Sequence, residues 1–426
     1  MVGAGPAGLA AAATASAAGR RVVLLDSGVV PGGQYWRHRR HFPPGGPRYR
    51  ELAGALRRVE YRPEAGVWFA EAGFVLHVPG GTVEAERVVL ATGAHDRVVP
   101  FPGWDLPGVL TAGGAQALLK GQGVVAGRRV VVAGTGPFLL PVATGLAEAG
   151  ARVVGVFEAG NPFRMVRHLP VPAAKLREAA GYAVRLARHR IPYRTGHRVV
   201  AAHGGTEVTA VTVRGPGGAT RRVDCDTLAV GHGFVPALEL PVLLGCATRL
   251  DADTNLVVTV DHDQRTSVPD VHAAGEITGV GGADLALVEG TIAGAAAAGI
   301  GVPDGLVHRR ARLRRFAAAL HAVHPVPGSW VDALTDDTVI CRCEEVRFEA
   351  VRAALTDLGA TETRTVKALT RTGMGWCQGR MCGFAVACLT AREQGRPVRA
   401  ADLEAFANRP IVAPVTLGEL AAGMIE

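Results

Sequence analysis

The sequence has few aromatic residues and no uninterrupted apolar run of the length that crosses a membrane. Phe, Trp and Tyr together make up 5% of its 426 residues, and few of them stand among the arginines. The formal net charge of +8 therefore does not predict a nucleic-acid site, where aromatic and basic side chains are interleaved. The apolar stretch 130–147 is broken by glycine and proline, which favours a strand, a turn and a helix over a membrane span.

No secretory leader is visible in the sequence, and no Cys-x-x-Cys motif lies beside the glycine-rich loops. Met1 runs directly into a glycine loop, so the expected location is cytoplasmic, with peripheral contact at the inner membrane face as an alternative. Seven cysteines in such a chain indicate metal or redox chemistry over disulfides. The missing motif excludes a disulfide relay next to a nucleotide. Cys225, Cys246 and Cys388 are isolated and are predicted to be small buried side chains.

The first residues of the chain have the spacing of a dinucleotide-binding loop. Residues 2–9 contain G-x-G-x-x-G, and the apolar run that follows ends in Asp26. The glycines allow a tight turn, close approach of a pyrophosphate and close helix packing, while the acid binds a ribose. The predicted binding residues are Gly3, Gly5, Pro6, Ala7, Gly8 and Asp26. Only Met1 and Val2 precede the motif, so either the start is truncated or the sheet lacks part of a central strand.

A second loop of this kind begins at Gly134. An apolar strand precedes Gly134 and Gly136, and the next apolar strand ends in Glu158. An acid there bonds a ribose 2′-hydroxyl and repels a 2′-phosphate, so NAD(H) is predicted over NADP(H). Leu139 stands near the place of the usual third glycine. The alternative is a nucleotide-binding fold kept for packing, with this site empty or filled by ADP or ATP.

A glycine pair followed by polar and aromatic residues occupies 31–37. This composition suits a loop lying along a flat ring system, with a surface turn as the alternative. Gly33, Gln34 and Arg37 are its predicted cofactor contacts.

The order of the motifs is typical of a known family. The first triplet, an Ala-Thr-Gly turn at 91–93, the second triplet and an Ala-Ala-Gly-Glu segment at 273–276 resemble those of glutathione-reductase-like FAD/NAD(P) oxidoreductases. The resemblance implies FAD at the first loop, with Thr92, Gly93, Gly275 and Glu276 beside it. The family usually has Asp where Glu276 stands, and Glu is one methylene longer.

Four further cysteines form two close pairs, Cys341 with Cys343 and Cys377 with Cys382. Two pairs of thiolates can hold a metal centre. Zinc usually takes Cys-x-x-Cys, whereas this spacing resembles the helical [2Fe–2S] domain of the bacterioferritin-associated ferredoxin type. The resemblance implies a [2Fe–2S] cluster on all four cysteines, and zinc or free thiols are the alternatives.

The predicted fold class is α/β, with two Rossmann-like three-layer domains, one for FAD and one for NAD(P), and a small helical [2Fe–2S]-binding domain. The predicted boundaries are 1–115 and 225–300 for a discontinuous FAD domain, 116–224 for the NAD(P)-like domain, 301–337 for a linker with a basic helix, 338–395 for the [2Fe–2S] domain and 396–426 for a C-terminal tail that docks on the main body.

Over nearly the whole chain this order resembles the α-type subunits of heteromeric amino-acid and amine dehydrogenases, the group of opine oxidase, hydrogen cyanide synthase, and the hydroxyproline and L-proline dehydrogenases. The resemblance implies an electron-transfer subunit of a hetero-oligomer. A smaller flavin-containing β subunit would oxidise the amine, and a quinone or another carrier would accept the electrons. No catalytic base is predicted in this chain. The alternatives are a self-sufficient NADH:acceptor oxidoreductase and a non-catalytic nucleotide-binding scaffold.

Overall fold

The structure is a computed structural model that describes residues 1–168 and 173–423. Residues 169–172 of the predicted NAD(P)-like domain and residues 424–426 of the predicted tail lie outside the described part. The chain divides into two compact units, each assembled from separate segments. Unit 1 comprises Met1–Ala94, Val235–Ala317 and Ala407–Glu426, and unit 2 comprises His95–Phe234 and Ala318–Phe406.

Short strands and helices alternate along the chain. The helices are α1 (Pro6–Ala17), α2 (Pro47–Ala55), α3 (Ala112–Ala117), α4 (Leu139–Glu148), α5 (Ala173–Arg188), α6 (Glu239–Leu243), α7 (Ala283–Ala298), α8 (Asp304–Val323), α9 (Phe348–Thr356), α10 (Thr363–Thr370), α11 (Gly383–Glu393), α12 (Ala400–Ala407) and α13 (Leu417–Gly423). The strands are β1 (Val23–Leu25), β2 (Glu60–Arg62), β3 (Phe69–Glu71), β4 (Val75–Val78), β5 (Gly81–Glu84), β6 (Val88–Leu90), β7 (Ala94–Asp96), β8 (Val109–Thr111), β9 (Arg129–Gly134), β10 (Arg152–Glu158), β11 (Tyr193–Thr195), β12 (Arg198–Gly204), β13 (Val208–Arg214), β14 (Thr220–Asp224), β15 (Thr227–Gly231), β16 (Phe234–Pro236), β17 (Thr248–Leu250), β18 (Leu256–Val258), β19 (Val271–Ala273), β20 (Val339–Cys341) and β21 (Val346–Arg347).

A parallel ladder organises unit 1. Strand β1 pairs with β2, and β6 pairs with β19, in both cases in parallel. Val2 forms parallel bridges to both Leu25 and Leu90. Its N–H donates to the Val89 carbonyl and its carbonyl accepts from the Ala91 N–H, each at 2.9 Å. Val2 therefore lies between β1 and β6, where the glycine motif predicts a central strand.

Helices α1 and α7 pack at backbone distance because both are rich in alanine and glycine. A Cβ on Gly290 would lie 2.1 Å from the carbonyl oxygen of Ala7. A Cβ on Gly294 would lie 2.5 Å from the carbonyl oxygen of Ala11. Any larger side chain at these two positions must push the helices apart, so α7 fixes the helix that follows the first glycine loop.

The predicted C-terminal tail contacts an early part of unit 1. In the irregular segment after α12, the Val412 N–H donates to the Trp68 carbonyl oxygen at 2.8 Å, next to the antiparallel β3–β4–β5 meander. Helix α2 begins at Pro47, since proline is favoured in the first turn of a helix, and it is followed by a 3₁₀ turn over Leu56–Arg58.

A five-stranded parallel sheet organises unit 2, with strand order β11-β10-β9-β15-β8. Its central strand β9 reads Arg-Val-Val-Val-Ala-Gly and is buried after its first residue, as expected for a parallel strand covered on both faces. Helices α3 and α4 cover one face. The antiparallel strands β12, β13 and β14 pack on the other, around Phe157 and Trp104.

The cysteine-bearing segment forms a small hydrophobic cluster of its own within unit 2. The β20–β21 hairpin packs with α9, α10 and α11 around Ile340, Val351 and Val386. Trp104 is 4% exposed, and its indole N–H donates to the Val339 carbonyl oxygen at 2.5 Å. This hydrogen bond anchors the hairpin that carries Cys341.

Candidate functional site

The first glycine loop is folded against the Ala-Thr-Gly turn of unit 1. Gly3 has a φ of +100°, and a Cβ on it would lie 2.2 Å from the carbonyl oxygen of Ala91. A Cβ on Gly8 would lie 1.7 Å from the Gly3 carbonyl oxygen. Gly5 precedes α1 in extended conformation and Pro6 is the first residue of the helix. The free N–H groups at this helix N-terminus form an anion site of the kind that binds a pyrophosphate.

Asp26 lies at the same loop. Its carboxylate accepts hydrogen bonds from the N–H groups of Ala4 and, at 2.6 Å, of Gly28. Burial raises the pKa of the Asp26 carboxyl, and the two N–H donors and the charge of Arg37 oppose that rise. Asp26 remains half-buried, so part of its surface is accessible to a ligand.

The 31–37 loop also reaches this position. A Cβ on Gly33 would lie 2.8 Å from Cα of Gly5, so the loop and the glycine motif touch through their backbones. The exposed Gln34 accepts hydrogen bonds from the guanidinium of Arg37 at 2.7 and 3.1 Å. The structure therefore places the three residues predicted from this loop beside the first motif.

Thr92 and Gly93 turn away from β6 toward the segment that follows β16. The Thr92 hydroxyl donates to the Ala237 carbonyl oxygen at 2.7 Å, and the Ala237 N–H donates to the Gly93 carbonyl oxygen at 2.9 Å. Gly93 has a φ of +75°, which other residues adopt with strain. These two hydrogen bonds fix the conformation of the turn next to Gly3.

Gly275 and Glu276 close the same site from β19. A Cβ on Gly275 would lie 2.9 Å from Cβ of Ala7. The Glu276 carboxylate accepts from the N–H groups of Gly281 and Gly282 at 2.9 and 3.0 Å, so it caps the loop before α7. Burial raises the pKa of Glu276, and these two donors partly offset the rise.

A buried ion pair that the sequence motifs do not indicate supports this segment from behind. Glu289 is fully buried, and its carboxylate accepts from the Gly275 N–H at 3.1 Å and from the Thr278 hydroxyl at 2.9 Å. Arg314 of α8 donates to the Glu289 carboxylate at 2.8 Å and to the Gly279 carbonyl oxygen at 2.8 Å. Arg310 lies 3.9 Å from the same carboxylate. The signal in the sequence is an acid in the middle of a helix of small and apolar residues, together with arginines spaced i, i+4.

The second glycine loop lies in unit 2 at the end of β9. A Cβ on Gly134 would lie 1.7 Å from the Gly231 carbonyl oxygen, whereas a Cβ on Gly136 would meet no atom within 4 Å. Leu139, in the place of the third glycine, is buried at the start of α4. Glu158 ends β10 and accepts from the Gly136 N–H at 3.0 Å. The structure therefore brings the three predicted residues of this loop together.

His232 follows β15 and is half-buried. Burial, reinforced by the charge of Arg97, lowers its pKa to about 4, so the ring is neutral at pH 7. A neutral, half-buried imidazole at the end of a strand is compatible with a structural role.

The four predicted cluster cysteines lie together as two pairs. The Cys382 thiol donates to the sulfur of Cys341, and Cys343 is hydrogen-bonded to Cys377. The hydrogen bond from Cys382, supported by the N–H groups of Gly373, Glu344 and Cys343, lowers the pKa of Cys341 to about 6. None of the four is in a disulfide.

The N–H groups around the Cys341 sulfur are of the kind found at Cys₄ centres. Sulfur atoms that accept backbone N–H bonds are typical of iron–sulfur sites, where such bonds stabilise the charged cluster. A Cβ on Gly375 would lie 2.4 Å from Cβ of Cys343, so the loop closes tightly on the thiols. Within residues 1–168 and 173–423, however, no group of three or more His, Cys, Asp or Glu side chains is arranged so that it could hold a metal ion.

An α/β fold with two glycine loops, each followed by an apolar strand that ends in an acid, defines a flavoprotein of the two-dinucleotide class. Residues 1–299 match the pyridine nucleotide-disulphide oxidoreductase family, and the chain belongs to that family. It is a flavin-dependent oxidoreductase, which confirms the class predicted from the order of the motifs.

Similar proteins extend the match beyond the nucleotide-binding region. The chain is 35% identical to an opine oxidase subunit from Agrobacterium tumefaciens (strain Ach5), over 99% of this chain and 90% of that protein. It is also 35% identical to the hydrogen cyanide synthase subunit HcnB from Pseudomonas aeruginosa, over 90% of each. The crystal structure of L-proline dehydrogenase from P. horikoshii shares the fold, with a TM-score of 0.73 and 22% identity over 98% of this chain and 78% of that chain.

None of the helices in the described residues combines the length and the apolarity needed to cross a membrane.

Proposed function

We propose that this chain is the FAD-bearing electron-transfer subunit of a heteromeric enzyme that oxidises an amine or amino acid. The observation that carries the proposal is the presence, in one flavoprotein chain, of four free cysteines drawn into two adjacent pairs. The similar proteins named as subunits of opine oxidase and hydrogen cyanide synthase support both the class of enzyme and the hetero-oligomer. The amine would be oxidised in a smaller, flavin-containing β subunit.

The first site has the groups that FAD requires. The N-terminus of α1 would hold the pyrophosphate, and Asp26 would accept hydrogen bonds from the adenosine ribose. Thr92, Gly93 and Gly275 would line the rest of the cofactor, and Glu276 would reach its ribityl chain. Glu289 and Arg314 hold the Gly275 turn, so they position these contacts without touching the cofactor.

Cys341, Cys343, Cys377 and Cys382 would hold a [2Fe–2S] cluster. Bound cofactors of these kinds supply a two-electron carrier and a one-electron carrier, which suits passage of electrons from an amine to a quinone or another carrier. The chain itself supplies the N–H donors that stabilise charge on sulfur and the hydrophobic cluster around Ile340 that shields the buried pair Cys341 and Cys382.

The loop that precedes Cys377 is suited to meeting a partner. Trp376 is 76% exposed and Met374 is 44% exposed, although both are apolar. Exposed Trp and Met beside a functional group are typical of protein interfaces. We therefore assign this loop to contact with the β subunit or the electron acceptor.

The test is the visible spectrum of anaerobically purified protein, with flavin, iron and sulfide assayed on the same sample. The proposal requires flavin bands together with about two iron and about two sulfide per chain. Cys341→Ser and Cys377→Ser should abolish the cluster bands while the flavin remains, and Cys246→Ser, an isolated buried cysteine, is the matched control. Zinc in place of iron, or an unchanged spectrum in Cys341→Ser, would refute the cluster.

A further inference from the structure

The ribose-binding acid of the second loop is sealed inside unit 2. Glu158 has no exposed surface. Its Oε1 accepts from the Gly160 N–H at 2.7 Å and lies 3.4 Å from Nδ1 of His324, and its Oε2 accepts from the Gly136 N–H. The His324 side chain is 8% exposed and therefore covers the carboxylate. An acid in this state has no surface left for a ribose diol.

Asp26 of the first glycine loop provides an internal comparison for Glu158. Asp26 and Glu158 accept the same pattern of backbone hydrogen bonds. Each accepts one N–H from its glycine loop and one from the glycine two residues further along the chain. Asp26 is nevertheless half-buried and Glu158 is not accessible at all. The difference in exposure therefore does not arise from the glycine-loop motif. It arises from the residues that pack against Glu158.

The covering segment is Val323, the last residue of α8, together with His324, which follows it. A Cβ on Gly160 would lie 3.1 Å from Nδ1 of His324 and 3.1 Å from the Val323 carbonyl oxygen, so both atoms lie directly on the loop after β10. The His324 N–H remains bonded to the Leu320 carbonyl oxygen at 3.0 Å, which continues the helical pattern of α8. The segment is thus held by regular backbone structure.

We propose that His324 is an intramolecular competitor of the dinucleotide at the second loop. Its imidazole lies against the carboxylate that would bind the ribose of NAD(H). It excludes that ribose as long as the C-terminal end of α8 has the conformation seen in this structure. The position expected for the pyrophosphate is not covered in this way, because a Cβ on Gly136 would meet no atom within 4 Å. Residues of the second loop therefore do not fit NAD(H) in this conformation, and the inference does not depend on the proposed electron-transfer function.

The energetic consequence follows from competition between two conformations. A ligand that binds only when His324 has moved away has its affinity reduced by the fraction of molecules in that open state. Removing the imidazole should make the carboxylate accessible without any conformational change. We therefore expect a gain in affinity for a probe that carries both the pyrophosphate and the ribose.

The experiment is calorimetric titration of ADP-ribose and of NADH into the flavin-saturated full chain. The variant is His324→Ala, and the exposed His308→Ala on the same helix is the matched control. We expect ADP-ribose to bind His324→Ala at least ten times more tightly than the unmodified chain or the control. Adding Glu158→Gln to the variant should abolish most of the gain, because the gain comes from the carboxylate.

Two results would overturn the proposal. The first is equal affinity of the unmodified chain and His324→Ala for ADP-ribose. The second is a gain that survives Glu158→Gln, since the ribose would then bind elsewhere. If His324→Ala does not fold, His324→Asn and a crystal of the unmodified chain soaked with ADP-ribose decide the question, and a ribose bonded to Glu158 with His324 in place refutes the competition.

Discussion

Replacing Arg314 by alanine should destabilise unit 1 through the acid that it leaves behind. Glu289 is fully buried, and the Arg314 guanidinium donates to its carboxylate at 2.8 Å. Removing one partner of a buried ion pair typically costs about 3–5 kcal/mol, because the other charge remains without compensation. Since 27% of the Arg314 side chain is exposed, water can reach part of the vacated space, and Arg310, 3.9 Å from the Glu289 carboxylate, still compensates part of its charge. We therefore expect the free energy of unfolding to fall by about 3 kcal/mol, the lower end of this range.

The assay is urea unfolding of the flavin-loaded protein, followed by the fluorescence of the released flavin. The matched control is Arg315→Ala, which removes the neighbouring, exposed arginine of the same helix. The double variant Arg314→Ala/Glu289→Gln should recover more than about 1 kcal/mol, because the neutral amide can still accept from Gly275 and leaves no buried charge. A loss in Arg314→Ala of less than about 1 kcal/mol, the value of an exposed pair, would refute the reasoning.

Two further predictions concern single residues. The pKa of His232 is lowered to about 4 in the fold, so the unfolded chain takes up this proton first as the pH falls. Stability should therefore decline between about pH 6.5 and pH 4, and His232→Gln should flatten that decline in urea unfolding at several pH values, whereas an unchanged slope would contradict the assignment. Gly181→Ala in the exposed part of α5, where a Cβ meets no atom, should raise the thermal midpoint through a gain of about 1 kcal/mol in helix propensity. Gly290→Ala, where a Cβ meets the Ala7 carbonyl oxygen at 2.1 Å, should lower it, and equal midpoints would show that α1 and α7 can separate freely.

The local parts of the candidate site could be predicted from sequence because their chemistry depends on short spacing. The glycine loops and the acids Asp26 and Glu158 are set by the pattern strand, turn, helix and strand, and the structure brings each acid to its loop N–H groups. The four cysteines of the predicted cluster also form two pairs that are local in sequence, and the fold brings Cys341 to Cys382 and Cys343 to Cys377. The cofactors that these residues bind stay predictions, as do the domain boundaries.

Contacts between distant parts of the chain could not be predicted in this way. Nothing near Glu158 in sequence indicates that His324 covers it, since the two residues are joined only by the course of the chain. The ion pair of Glu289 and Arg314 also joins residues that are distant in sequence, although both charged residues can be read from the sequence. A buried acid in the middle of an otherwise apolar helix requires a cation beside it, and the sequence does not show which of the α8 arginines supplies it.

The division of the chain into two discontinuous units has a consequence for synthesis on the ribosome. Unit 1 needs its early residues, its middle segment and the residues after Phe406, and Val412 bonds to Trp68. Native contacts therefore span nearly the full length of the chain, and such long-range closure slows folding. The Trp68 carbonyl oxygen beside the β3–β4–β5 meander gains its Val412 partner only after the residues beyond α12 have been made, and until then the incomplete unit 1 exposes surface that can aggregate or bind a chaperone. Expression at reduced temperature should therefore raise the soluble yield of the intact chain more than that of a permutant that begins at residue 407.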